Sequence, residues 1–391
     1  MLRPASLLAI LACSLLPGAS ALAHHAPGPI RIAAILSTSG PGAEVGVPQL
    51  KALQLAVEQL NREGGLLTHA VALEAADDAT DAKKAEVLAR QLAVPEKADI
   101  LIGGSVTSTA LAIVPVAQAA KIPFIALATG SRATERTRQW VFRTPPTESM
   151  AILRILEDIA AAGGKRIAAV TMDTESGRTA RRDLQAHTDH ASIFHRKAGI
   201  DLAADVAFAP NDAAAAGQAL ARAARTKDID AIVAVAYGEA ALAIARQHRD
   251  SGSKARLYLS HAAATPEFVA GAAGIGGLRL VVPPIMVRDL LPDADPQKAV
   301  IRAFVDAYAA RHGAAPPPAA GYAADAMMLA VQAIRTAKSL DFELMRLGLE
   351  ATRNAVGVTG TFSFWSTEHR ALDPKALRLV EIAPGGLKLL D

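Results

Sequence analysis

Apolar residues recur along the chain in two alternating patterns: short continuous runs, and longer stretches at helical spacing. Arg31–Ser37 is a continuous run, and Val47–Arg62 repeats Leu50, Leu53, Val57 and Leu60 before Gly64-Gly65. A buried strand followed by an amphipathic helix produces such a pair. The alternation continues through strands at Val71–Ala75, Ile100–Gly103 and Ile122–Leu127, with helices at Asp81–Ala93 and Thr109–Ala119. Asp81 stands where a side-chain oxygen caps the free N–H groups of a helix. Continuous apolar strands separated by helices predict a parallel sheet covered on both faces.

After Arg143-Thr144-Pro145-Pro146 the rhythm restarts. Helices are predicted at Met150–Ala162, Arg178–His187, Ala213–Ala224 and Glu239–His248. Between them fall strands at Arg166–Met172, Asp205–Phe208, Ile229–Ala236 and Arg256–Ser260. This is a second α/β unit, and the double proline is a natural crossing between the two. The tail departs from the pattern. A strand at Leu278–Val282 ends at Pro283-Pro284, and three helices follow at Pro296–Arg311, Ala319–Ala337 and Phe342–Arg353. Strands close the chain at Thr361–Phe364, Ala376–Ile382 and Leu387–Leu390.

The first residues change the compartment. A basic start at Met1–Arg3, an apolar run at Leu7–Leu16 and Ala21-Leu22-Ala23 together have the form of a secretory signal peptide. Cleavage is expected before His24, which places the mature protein in the periplasm. The apolar run is too short to span a membrane. Cys13 is the only cysteine, in a context that vaguely resembles a lipoprotein box, so the mature chain is expected to carry no thiol. Disulfides, thiolate metal sites and cysteine nucleophiles then drop out together. Charge is nearly balanced, with 41 basic against 38 acidic side chains spread along the chain. A nucleic-acid binder is expected to show a basic stripe, and none appears.

Candidate chemistry is sparse. Gly103-Gly104-Ser105-Val106-Thr107 lacks the closing glycine of a nucleophile elbow, and no phosphate-binding loop of the ATPase type occurs. The glycines between Gly271 and Gly277 have the wrong spacing for a dinucleotide site and read as a surface loop. His187, His190 and His195 lack an acidic or thiol partner for a metal. Asp77-Asp78 and Asp81 read as turn-makers and caps. No catalytic residue, cofactor or metal is expected.

Five segments, in order, resemble one family. They are Ile32–Gly46 with Ala56–Gly65 (IAAILSTSGPGAEVG, AVEQLNREGG), Ala76–Lys84 (ADDATDAKK), Gly103–Pro123 (GGSVTSTALAIVPVAQAAKIP), Val141–Thr144 (VFRT) and Gly357–Phe364 (GVTGTFSF). The chain is similar to the leucine/isoleucine/valine-binding type of periplasmic solute-binding protein of ABC transporters. The resemblance implies a type I periplasmic binding fold: two Rossmann-like lobes with parallel sheets, joined by a three-crossing hinge. It places residues 24–144 and 283–356 in lobe one, and 145–282 and 357–391 in lobe two.

The resemblance also implies a site. Ligands of open α/β sheets sit beyond the carboxyl ends of the strands. In the family, the loop corresponding to Ser105–Ser108 grips the ligand's carboxylate, with the contact on Thr107 and Ser108 beside it. Free N–H groups at a helix start suit an anion, although plain capping uses the same geometry. Ala128-Thr129-Gly130 supply further donors, with Thr129 or Gly130 at the key position. From lobe two, Tyr237 is expected to pack on the ligand. His261 falls where amino-acid binders carry a glutamate for the ammonium, and Val45 where they often carry an aromatic lid. An imidazole cannot replace a carboxylate opposite an ammonium. Glu239 is a candidate to compensate. The expected ligand is therefore a small carboxylate, amino acid-like or an organic or aromatic acid without an ammonium, with His261 donating to a second oxygen. The expected partner is a membrane ABC permease, and the protein is expected to be monomeric. The alternatives are a ligand sensor that signals to a receptor and, disfavoured by the missing machinery, an enzyme.

Overall fold

The computed structural model describes residues 28–130, 138–188, 199–210, 212–369, 372–383 and 385–390. The expected signal peptide, Cys13, His24, His25, His190 and His195 lie outside them. The first unit runs β1 (Ile30–Leu36), α1 (Ala43–Arg62), β2 (Val71–Asp77), α2 (Ala82–Leu92), β3 (Ile100–Gly103) and α3 (Thr107–Ala120). It ends with β4 (Phe124–Ala126) and β5 (Val141–Arg143). The second begins α4 (Glu148–Ala161), β6 (Arg166–Met172), α5 (Glu175–Thr188), β7 (Asp201–Phe208) and α6 (Ala213–Ala224). It continues β8 (Ala231–Val235), α7 (Gly238–Ser251), β9 (Arg256–Leu259), α8 (Pro266–Ala272) and β10 (Leu278–Val282). The tail supplies α9 (Pro296–His312), α10 (Pro318–Ala337) and α11 (Phe342–Glu350). It finishes with the hairpin β11 (Ala355–Val356) and β12 (Thr361–Phe362), then β13 (Arg378–Ala383) and β14 (Gly386–Leu389). One expectation needs correction: the stretch 271–277 is not all loop, because α8 runs through Gly271 to Ala272.

Two sheets result. The first has the order β2-β1-β3-β4-β5, and every pair is parallel. The second has the order β14-β13-β10-β9-β8-β6-β7. Its five strands β6 to β10 are parallel, while β13 pairs antiparallel with β10 and β14 antiparallel with β13 at the edge, which apolar runs alone do not reveal. Period-two alternation explains why both sheets are covered on both faces. On β1, Ile30, Ile32, Ala34 and Leu36 pack under α1 and α10, while Ala33 and Ile35 face α2 and α3. On β6, Ala168, Val170 and Met172 pack toward α6 and α7, while Ile167 and Ala169 face α4 and α5.

The chain passes between the two units three times, and each passage is fastened to the first turns of α10. The Thr144 hydroxyl, in the first passage, donates to the Tyr322 carbonyl at 2.8 Å. Gly321 lies against the other two: a Cβ there would stand 3.3 Å from Ile285 Cδ1 and 2.7 Å from Thr359 Cγ2. The buried Asp325 carboxylate then accepts from Val358 N at 2.6 Å, Thr359 N at 2.8 Å and the Thr359 hydroxyl. Helix α9 also bridges the units, with Ile301 and Val305 in the second core and Tyr308 in the first. Past β12, Phe364, Leu372 and Ala376 still pack in the first core, and Leu377 is the first residue to join the second.

Burial pushes the Asp325 carboxyl up to about 7, against the pull of its three donors. Asp325→Ala strands those donors, so chemical denaturation is expected to show a loss of about 2–4 kcal/mol. A loss below about 0.5 kcal/mol would mean that α10 does not fasten the passages. A carboxyl raised by folding favours the folded state when protonated, and that advantage fades as pH rises through its folded value. The melting temperature of the wild type is therefore expected to fall relative to Asp325→Asn between about pH 5 and pH 8. A constant difference contradicts the assignment.

Candidate functional site

In the first unit the strand register brings the carboxyl ends together: Ile35 pairs with Gly103, Gly103 with Ala126, and Leu36 with Asp77. Gly103 and Gly104 both adopt positive φ, and a Cβ on Gly103 would strike the Ile35 carbonyl. Only glycine turns β3 so tightly into α3. Ser105 is buried and its hydroxyl accepts from Ser37 N at 3.0 Å, which joins the ends of β1 and β3. Ser37 in turn donates to Asp78 at 2.7 Å. Burial acts to raise the Asp77 carboxyl, but bonds from the Ser39 hydroxyl and the Ala79, Ser39 and Thr38 N–H groups hold it well below the usual range. Asp81 caps α2 by accepting from Lys83 N and Lys84 N. These acids shape the loop.

The start of α3 is different. Its cap position is Val106, which provides no side-chain hydrogen bond, and Thr107 is the first helical residue. The Thr109 hydroxyl turns back to donate to the Val106 carbonyl at 3.1 Å. Among the described residues no side chain caps the first-turn N–H groups at Thr107 and Ser108, which lie at the positive end of the helix dipole. Ala128 and Gly130 are buried and Thr129 is half-buried. Gly130 lies directly against Thr107: a Cβ would come within 2.8 Å of its hydroxyl oxygen. The fully buried Arg143 donates to the Gly130 carbonyl at 3.2 Å and holds that loop in place. The structure thus brings Thr107, Ser108, Thr129 and Gly130 to one strand-end edge.

The second unit contributes its own carboxyl edge. Tyr237 follows β8, takes the cap position of α7 and is 37% exposed. Its hydroxyl is raised by partial burial and then by the charge of Glu44 at the start of α1, so the ring is within electrostatic reach of the first unit. Helices α3 and α5 touch across the same gap. His261 follows β9 in a 3-10 turn capped by Ser260. Glu239 does not accompany it: that carboxylate is 75% exposed and lies 3.8 Å from Arg246.

The carboxylate beside His261 is Glu148, in the first turn of α4, which the sequence reading passes over. Its Oε2 lies 3.8 Å from His261 Nδ1, and both side chains are only 2% exposed. Ser176, at the start of α5, donates to Glu148 Oε1 at 3.2 Å. Burial and then Glu148 push the Asp183 carboxyl up to about 6, although Arg182 opposes them. The Tyr322 hydroxyl of α10 is raised by burial and then by Glu148 and Asp325. Glu148 thus sits where α4, α5 and the hinge helix converge. A glutamate in the first turn of a helix normally reads as a solvated partner of the dipole, and only the double-proline crossing just before it hints at another location.

Elsewhere, a hollow of about 600 Å³ opens between α1 and α10 beside Leu55 and Met328, and another of about 480 Å³ lies beside Thr147 and Trp365. Neither includes a predicted site residue. Among the described residues, no three His, Cys, Asp or Glu side chains come together as a metal site.

Comparison with known proteins fits this geometry. In Brucella suis, a Leu/Ile/Val-binding protein homolog is 26% identical over 215 residues, covering 52% of this chain and 51% of that protein. The chain thus spans about half the length of the curated relatives it matches. An extracellular ligand-binding receptor from Rhodopseudomonas palustris superposes with a TM-score of 0.80 at 28% identity, covering 93% of this chain and 99% of that one. At 22% identity and a TM-score of 0.75, the fold matches a branched-chain amino acid transporter substrate-binding protein from Streptococcus pneumoniae solved with isoleucine, covering 92% of this chain and 98% of that one. The same identity and TM-score relate it to an ABC transporter solute-binding protein from R. palustris solved with benzoate, covering 93% and 96%. The periplasmic binding protein family model matches residues 29–386. This family binds solutes and is not one of enzymes, its type I fold is the two-lobed α/β architecture found here, and the chain belongs to it.

Proposed function

We propose that the protein captures a small carboxylate-bearing solute between its lobes outside the cytoplasm and delivers it to an ABC permease. In this reading a signal peptide is cleaved near Ala23, and a protein monomer closes about the hinge. Lobe one comprises about residues 24–144 and 283–356, and lobe two about 145–282 and 357–391. The third passage begins at Gly357: Val358 already packs in the second core, while Phe364, Leu372 and Ala376 still lean on the first. An open form binds on one lobe, and closure then recruits groups from the other.

The observation that carries the proposal is the start of α3. Among the described residues its first N–H groups have no side-chain cap, and the Thr107 hydroxyl and the Gly130 loop stand beside them. Such a set of donors favours an anionic oxygen. Isoleucine and benzoate, held by two proteins of this fold, share little beyond a carboxylate. Thr107, Ser108, Thr129 and Gly130 are assigned to that group, with Ala128 supplying backbone. Ser105 supports the strand ends, and Tyr237 and His261 act from lobe two.

Calorimetry with matched acids and their primary amides tests this. Acids are expected to bind while their amides do not. Thr107→Val is expected to weaken binding on the order of tenfold. Gly130→Val, which displaces the Thr107 side chain, is expected to weaken it further at an unchanged melting temperature. Equal binding of acids and amides, or no effect of either substitution, would sink the carboxylate reading.

A further inference from the structure

We propose that Glu148 and His261 together recognise a hydroxyl group on the ligand, so that the captured solute is a hydroxy acid. This rests on the carboxylate reading above and extends it to the other wall of the cleft.

The two side chains form a buried pair with open valences. Glu148 Oε1 is engaged by Ser176. Glu148 Oε2 and both ring nitrogens of His261 have no hydrogen-bond partner among the described residues. The 3.8 Å between Nδ1 and Oε2 is too long for a hydrogen bond. Buried polar atoms are nearly always hydrogen-bonded, so three open ones together mark a place built for something else. They lie at the carboxyl edge of the second sheet, where ligands of α/β folds bind. One heavy atom at about 2.8 Å from each can bridge Oε2 and Nδ1.

Donor and acceptor counting then selects the bridging group. An ionised carboxylate only accepts, while an imidazole carries at least one N–H in any tautomer. With the imidazole proton on Nδ1, the ligand group must donate a hydrogen bond to Glu148 Oε2 and accept one from His261. A hydroxyl does both through one oxygen. An ammonium only donates, leaving a buried imidazole N–H without an acceptor. A keto oxygen only accepts, setting its lone pairs against Glu148. A second carboxylate adds charge repulsion to that conflict. The replacement of an expected glutamate by His261 thus reads as a change in what is recognised, completed by a carboxylate from α4.

Calorimetry on the purified protein with one aliphatic and one aromatic acid series tests it. Within each series the same skeleton carries a hydroxyl, a carbonyl, an amino group or only hydrogen at successive positions. In at least one series, the hydroxy acid is expected to bind tighter than its three counterparts by on the order of tenfold or more. Glu148→Leu and His261→Phe, each checked for an unchanged melting temperature, are expected to bring it to the level of the unsubstituted acid. Tightest binding of an amino or carbonyl member, or a hydroxyl preference that persists in both variants, overturns this inference and leaves the carboxylate reading standing. If no acid binds better than its amide, the carboxylate reading itself fails.

Discussion

The first turns of α10 hold this structure together. Thr144, Ile285 and the pair Val358 and Thr359 belong to three separate passages of chain, yet all meet between Gly321 and Asp325. Two sheets that each bury both faces need not keep any fixed relation to each other. What relates them is one buried carboxylate with three donors, one carbonyl and one glycine small enough to let two of the passages approach. Interactions of this kind hold the connection while leaving the lobes apart from it free to swing. The proximity of Glu148 to Tyr322 places part of the candidate site against the same helix.

The two walls of the cleft do different work. On the first, the chemistry is mostly backbone: N–H groups at a helix start, a glycine loop and one threonine hydroxyl. Such a wall grips an anionic oxygen without reading the rest of the molecule. On the second, Tyr237, Glu148 and His261 are side chains, and they can change while the fold is kept. Only 4% of residues are aromatic, so in the proposed function hydrogen bonding rather than stacking would set selectivity.

Much of the fold was legible because burial on both faces writes continuous apolar runs, as in β1, β3 and β8, and because caps such as Asp81 are local. What stayed hidden depends on tertiary neighbours. Gly321 and Asp325 look like ordinary positions in an alanine-rich helix, and nothing local says that three passages converge there. Phe364 and Ala376 read as part of the closing strands, but they pack in the first core. At the site, Thr107 and Gly130 were in view, but their contact was not, being a meeting of two loops. Glu239 lies near Tyr237 in sequence, whereas Glu148 reaches His261 only because the fold brings the start of α4 beside the turn after β9.

The account is tested most directly by the crystal structure of the protein with a bound acid. It predicts the ligand's carboxylate within about 3 Å of the first-turn N–H groups of α3 and of Thr107, with the lobes closed over it. A carboxylate turned toward His261 and Glu148, or a ligand held outside the cleft, would contradict it.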